Sequence, residues 1–133
     1  MRVVLVGFGV VGQSFAKLLL SRSADLYTQH GMKPRIVACV DNKGSAVAPA
    51  GLDLERLLAA KRKGTVGMYE KNAERFSPLQ VIENVDAEVV IEATPTDLAT
   101  GEPGTSHIMS AMRKGRHVIS VNKGPLALAF PSL

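Results

Sequence analysis

The sequence contains one cysteine, Cys39, inside an apolar run. A lone thiol cannot close an intramolecular disulfide. No paired His, Cys or carboxylates stand at ligand spacing, so no metal site is predicted. Long apolar runs are also missing. None approaches the ~20 residues of a membrane-spanning helix. The chain opens Met1-Arg2 and runs straight into a strand-like segment, without the pattern of a signal peptide. The expectation is a cytoplasmic protein with no membrane partner. Charge of one sign is scarce too: sixteen Lys and Arg against twelve Asp and Glu give +4. The basic clusters, Lys61-Arg62-Lys63 and Arg113-Lys114 with Arg116, are short and have no interleaved aromatic residues. They read as solvated helix ends, not as a nucleic-acid surface.

What is present fills one ordinary domain. Of 133 residues, 46% are hydrophobic, enough for a single core. Arg2–Val6 reads as a buried strand, being continuously apolar and mostly β-branched. From Val10 to about Ser23 the pattern turns helical, with Val11, Phe15, Leu18 and Leu19 at three- and four-residue spacing. The polar stretch Asp25–Lys33, with His30, predicts a surface loop. Arg35–Val40 is a second strand ending in Asp41. Asn42–Gly51 is rich in small residues and predicts a loop. Asp53 is placed to cap a helix over 54–63, with Leu54, Leu57 and Leu58 inward. Pro78–Asn84 suits a short helix, and Glu88–Ala93 a third strand. A Thr/Pro/Gly-rich loop then leads to a helix over 106–114, stopped by Gly115. His117–Val121 is a fourth strand, after which Pro125 could open another helix. Strands alternating with helices predict an α/β fold. The expected form is one doubly wound, mostly parallel Rossmann-type sheet with right-handed crossovers.

The segment Gly7, Phe8, Gly9, Val10, Val11, Gly12 has the form G-x-G-x-x-G. Its context is the required one: a strand before it, a helix opening inside it, and an acidic residue after the next strand. Gly7 permits a tight turn, Gly9 lets a diphosphate approach the backbone, and Gly12 lets helix and strand pack closely. The unpaired N–H groups of the first helical turn would then face the phosphates. This predicts binding of NAD or NADP. Asp41 is placed to accept hydrogen bonds from the adenosine ribose, favouring NAD, whereas Lys43 could pair with a 2′-phosphate. The other reading of Asp41 is a turn-forming aspartate.

Ligands of an open parallel sheet sit beyond the carboxyl ends of its strands. Two segments end there. In one, Ala93, Thr94 and Pro95 suit a backbone passing close to the nicotinamide ribose. In the other, Asn122 and Lys123 follow the fourth strand, and the Lys123 ammonium could orient a substrate hydroxyl or stabilise a developing alkoxide. His107 and His117 read as polar residues starting a helix and a strand.

Two blocks carry a family resemblance. The first is Ala93-Thr94-Pro95-Thr96-Asp97-Leu98, continued by Thr100-Gly101-Glu102-Pro103-Gly104 and His107-Ile108. The second is His117-Val118-Ile119-Ser120-Val121-Asn122-Lys123-Gly124-Pro125-Leu126-Ala127-Leu128. Together with the glycine turn they resemble homoserine dehydrogenase. The resemblance spans the chain and thins from Gly51 to Asn84. It implies NAD(P)-dependent interconversion of L-homoserine and L-aspartate 4-semialdehyde, in the pathway to threonine, methionine and isoleucine. It implies Lys123 as a catalytic residue and Thr94 as a neighbour of the cofactor. It also implies a second domain, bearing most substrate contacts and a homodimer interface, that this sequence does not contain. Residues 1–133 are thus expected to be the NAD(P)-binding domain alone, truncated at its C-terminal end, able to hold cofactor and poorly active by itself. The apolar Leu126, Leu128, Phe130 and Leu133 are then expected to be disordered or buried against another copy. Two other readings stand: a nucleotide-binding or regulatory module without catalysis, and a related enzyme such as aspartate dehydrogenase. The retained Lys123 counts against the first and the Asn122-Lys123-Gly124-Pro125 block against the second.

Overall fold

The computed structural model describes every residue from Met1 to Leu133. Five strands form one sheet: β1 (Arg2–Val6), β2 (Arg35–Val40), β3 (Ser45–Val47), β4 (Val89–Glu92) and β5 (His117–Ser120), in the order β3-β2-β1-β4-β5. The helices are α1 (Val10–His30), α2 (Leu54–Arg62), α3 (Pro78–Asn84), α4 (Gly104–Arg113) and α5 (Lys123–Ala129). Short 3₁₀ turns follow α2, at Val66–Tyr69, and α5, at Phe130–Ser132. All strand pairs are parallel except β2–β3. The expected doubly wound α/β fold is therefore present.

The period of the central strand explains the two faces. Val3 and Leu5 point to one side, where they meet Ala16 and Leu19 of α1 and Leu57 and Leu58 of α2. Val4 and Val6 point to the other, against Val81 and Ile82 of α3 and Ala111 of α4. A strand apolar on both faces can be buried on both, which is why β1 reads as an unbroken apolar run. Each such side chain contributes ~1.5–3 kcal/mol by leaving water. Local signals fix the helix starts. The Asp53 carboxylate accepts from Arg56 N at 3.1 Å, and Ser77 and Gln80 form a reciprocal capping box at α3.

Four expectations are corrected. First, α1 runs on to His30, through part of the stretch read as a loop. Only Leu26 of that extension packs on the core, so it shows no apolar stripe. It is held locally, by the Arg22–Asp25 pair at 3.0 Å and by Gly31, which closes the helix at φ 65°. Second, α1 buries Gly12, Ala16 and Leu19, whereas Val11 and Leu18 are about half exposed. Apolar residues nearly encircle this helix, so its spacing could not say which side faced inward. Third, Ser45–Val47 is a strand, antiparallel to Ala38–Val40, inside the expected loop. Three residues are too few to show a period. Fourth, the tail is helical, and α5 starts at Lys123 instead of Pro125 because Asn122 caps it. Leu126, Leu128 and Phe130 remain exposed. The edge strand β5 likewise exposes Ile119. No helix is long and apolar enough to cross a membrane.

Candidate functional site

From β1 the chain crosses first to β2 on one side and later to β4 on the other, so the sheet reverses direction at β1. Such a reversal opens a crevice beyond the carboxyl ends of the strands. A cavity of about 720 Å³ lies there, reached by Gly7, Val40 and Ala93 at the ends of β1, β2 and β4. Its floor is laid by two bonds: Gly7 N donates to Val40 O at 2.8 Å, and Ala93 N to Val6 O at 2.7 Å.

The glycine turn behaves as its spacing predicts. A Cβ at Gly7 would stand 2.5 Å from Ala93 O, on a backbone with φ +97°, and a Cβ at Gly12 would stand 2.5 Å from Gly7 O. Gly9 is different: nothing lies within 4 Å of where its Cβ would be. That open space is the approach to α1, whose N-terminus has no side-chain cap. The N–H groups of Val10, Val11 and Gly12 thus lack intrahelical acceptors. Open room over Gly9 and uncapped donors below it fit a diphosphate without any cationic side chain.

The cavity wall includes Gly7, Phe8, Gly9, Val10 and Val11, then Asp41, then Ala93, Thr94 and Pro95. Phe8 contributes backbone only. Phe8 is 1% exposed and belongs to the α1–α2 core. Gly12, Lys43, Asn122 and Lys123 lie outside the wall.

Asp41 does not hold a free carboxylate toward the cavity. Oδ1 accepts from Lys43 N, Gly44 N and Thr65 Oγ1 at 2.9, 2.9 and 2.7 Å. Oδ2 accepts from Lys61 Nζ and Val66 N at 3.0 and 2.9 Å. A carboxylate offers about four lone-pair sites, and these five donors fill them. Burial pushes this acid up, but the bonds from Thr65, Val66, Lys43 and Lys61 outweigh it and bring the pKa down to about 2. The expected ribose acceptor is an anchor for the loop from Asn42 to Gly44. Lys43 serves it through its backbone, and its side chain does not reach the wall. Lys61 does reach the wall. It was read as part of a solvated run, yet its side chain is only 22% exposed.

At the opposite end stands a second buried acid, missed in the sequence. Glu92 closes β4 with no exposed surface. Oε1 accepts from the Thr94 amide at 2.8 Å and from the Thr94 hydroxyl, and Oε2 lies 2.6 Å from His107 Nδ1. Burial would raise this carboxyl; the bonds from His107 and Thr94 hold it below the usual glutamate range. His107, read as a polar helix start, is buried beside the cavity. The available signal was a glutamate directly after Val89-Val90-Ile91, since an acid there must find a partner.

Asn122 completes the arrangement from behind. Its Nδ2 donates to Thr94 Oγ1 at 3.1 Å and to Pro95 O at 3.4 Å, and its Oδ1 accepts from Gly124 N at 3.1 Å. It ties the wall to the first turn of α5, where Lys123 is exposed and free of ion pairs. Val121, two residues earlier, is in the wall. Asn122, expected to contact the cofactor, supports Thr94 and Pro95 from outside the wall.

Comparison with known proteins gives four matches. A family model described as glutamate/leucine/phenylalanine/valine dehydrogenase matches residues 1–102. Over its whole length the chain is 37% identical to a homoserine dehydrogenase of Methanocaldococcus jannaschii, covering 40% of that protein. It is 36% identical, over 96% of its length, to an NAD(+)-dependent homoserine dehydrogenase of Pseudomonas canavaninivorans, covering 37% of that protein. Among solved structures, a putative homoserine dehydrogenase from Archaeoglobus fulgidus superposes on 99% of the chain with a TM-score of 0.78 at 30% identity, and the match covers 37% of that chain. The chain thus spans about 40% of the length of the first of these relatives.

Proposed function

This chain belongs to the glutamate/leucine/phenylalanine/valine dehydrogenase family, and from that premise we propose that it is the NAD(P)-binding domain of a homoserine dehydrogenase. The whole enzyme would interconvert L-homoserine and L-aspartate 4-semialdehyde on the route to threonine, methionine and isoleucine, as a cytoplasmic homodimer. The dimer and the pathway rest on the family resemblance. The coenzyme reading rests on the open space over Gly9 and the uncapped start of α1.

The observation that carries the homoserine reading is the bridge from Asn122 to Thr94 and Pro95. Lys123 follows that bridge in the first turn of α5, next to Asn122, and Thr94 and Pro95 are the residues that would meet the nicotinamide ribose. Bound coenzyme would supply a hydride acceptor. Lys123 would orient the homoserine hydroxyl and stabilise the negative charge that develops as its proton leaves. Asp41, saturated and paired with Lys61, presents no uncompensated charge against a 2′-phosphate, so the proposal covers both NAD and NADP.

A second reading is an amino-acid dehydrogenase of the glutamate type, favoured by the family model itself. That match stops at Glu102, before the block from His117 to Leu128, whereas the first two relatives match 96% or more of the chain. A glutamate dehydrogenase also matches 92% of the chain, at 32% identity, so what favours homoserine is the higher identity of the two homoserine dehydrogenases, 37% and 36%.

Calorimetric titration tests the core of the proposal. The chain should bind NADH and NADPH, and homoserine should drive no appreciable NAD(P)⁺ reduction by this chain alone, because hydride transfer needs both reactants clamped. Absence of binding by either coenzyme would sink it. Robust homoserine oxidation by residues 1–133 would remove the need for a second domain.

A further inference from the structure

The Glu92–His107 pair has no part in the reading above, yet its geometry points toward the ligand. Glu92 is fully buried and His107 is 3% exposed. One carboxylate oxygen is committed to Thr94 and the other to His107 Nδ1. An ionised carboxylate can only accept, so Nδ1 donates the proton between them, and Nε2 is the ring nitrogen left for a ligand. No protein group bonds Nε2. The only buried side-chain nitrogen or oxygen lacking a partner is Arg116 Nε, so Nε2 is not sealed inside the protein. The ring forms part of the cavity wall, with Thr94, Pro95 and Val121. Glu92 also pins the Thr94 backbone, so one acid sets both the ring and the loop beside it.

We propose that His107 is a coenzyme-contacting residue, its Nε2 hydrogen-bonded to the nicotinamide riboside half, with Glu92 as the residue that positions it. This rests on the coenzyme reading given above. An imidazole without a partner for Nδ1 could rotate or exchange tautomers. Here both are fixed before the ligand arrives, so the ring's rotamer freedom is not lost on binding.

The test compares NADH with ADP, which lacks the nicotinamide riboside. In His107→Asn the amide can still donate to Glu92, while the Nε2 position is empty. By calorimetry, NADH should bind about 3- to 10-fold more weakly to the variant, the range expected for one hydrogen bond. ADP should bind as it does to the wild type. Unchanged NADH affinity, or equal weakening of both ligands, overturns the proposal. Wild-type protein that binds neither ligand refutes the coenzyme reading instead, which separates the two failures. A second measurement needs no variant. In ¹⁵N correlation spectra of the wild type, the His107 Nε2 resonance should move with NADH and stay in place with ADP. Movement with both ligands, or with neither, overturns it.

Discussion

Asp41 closes the β2 end of the cavity and Glu92 the β4 end, and each is an acid removed from water, with side chains 4% and 0% exposed. Their partners differ. Asp41 gathers a lysine, a threonine hydroxyl and three backbone amides, and nothing of it is left for a ligand. Glu92 gathers a histidine and one threonine, and both partners reach the cavity wall. On the proposal made above, the same residue chemistry serves shape at one end and recognition at the other, although Lys61 beside Asp41 also reaches the wall. What decides is whether the donors around a buried carboxylate are exhausted by it or have a second edge to present.

Variants break or sharpen this contrast. The largest effect is expected at Gly7, where both halves meet. Gly7→Ala places a Cβ against Ala93 on a left-handed backbone. It should cost about 3 kcal/mol or more in urea unfolding and abolish coenzyme binding. Next is Asp41→Asn, which should cost about 2 kcal/mol at neutral pH. Its wild-type carboxyl titrates at about 2 against a free value of 3.8. That stabilisation is therefore complete above the free value and is lost as the pH falls through about 2. Unfolding midpoints measured from pH 6 down to pH 2 should show this loss in the wild type and a flatter profile in the variant. If Asp41 read the ribose after all, Asp41→Asn would weaken ADP far more than it weakens the fold.

Thr94→Val should cost about 1–2 kcal/mol, because Glu92 and Asn122 each lose a hydroxyl partner. Denaturant titration measures that cost. Comparing NADH with ADP then tests the contrast, since only NADH should weaken. The smallest effect is expected for Arg2→Ala, remote from both acids. Arg2 joins Glu88 at 2.9 Å across an exposed surface. The change should leave coenzyme affinity intact, and any shift in thermal midpoint should vanish in high salt.

The sequence made the parallel core legible because strands apolar on both faces have no other stable setting, as in Val3–Val6 and Val37–Val40. Asp53 and Pro78 were legible because caps act within one turn. The end of α1 was not, since Ala24 to His30 is held by local pairs that leave no stripe. In the site, the glycine turn could be read because Gly7 and Gly12 answer local steric demands and Gly9 leaves the space beside them open. The ties of Asp41 to Lys61 and Thr65, and of Glu92 to His107, could not be read. They join residues 15 to 24 positions apart, through side chains that look solvent-bound in one dimension. Lys123 was flagged by its place after a strand, while the task of Asn122 emerged only when Thr94 was set beside it.

The two margins of the sheet are unlike as growing surfaces. On one margin β3 offers three residues running against the rest, too short a template to recruit a passing chain. On the other, β5 offers four residues, with Ile119 facing solvent. A fibre built edge to edge needs two receptive margins on every molecule. With one margin blunt, growth of such a fibre from this sheet is blocked at β3.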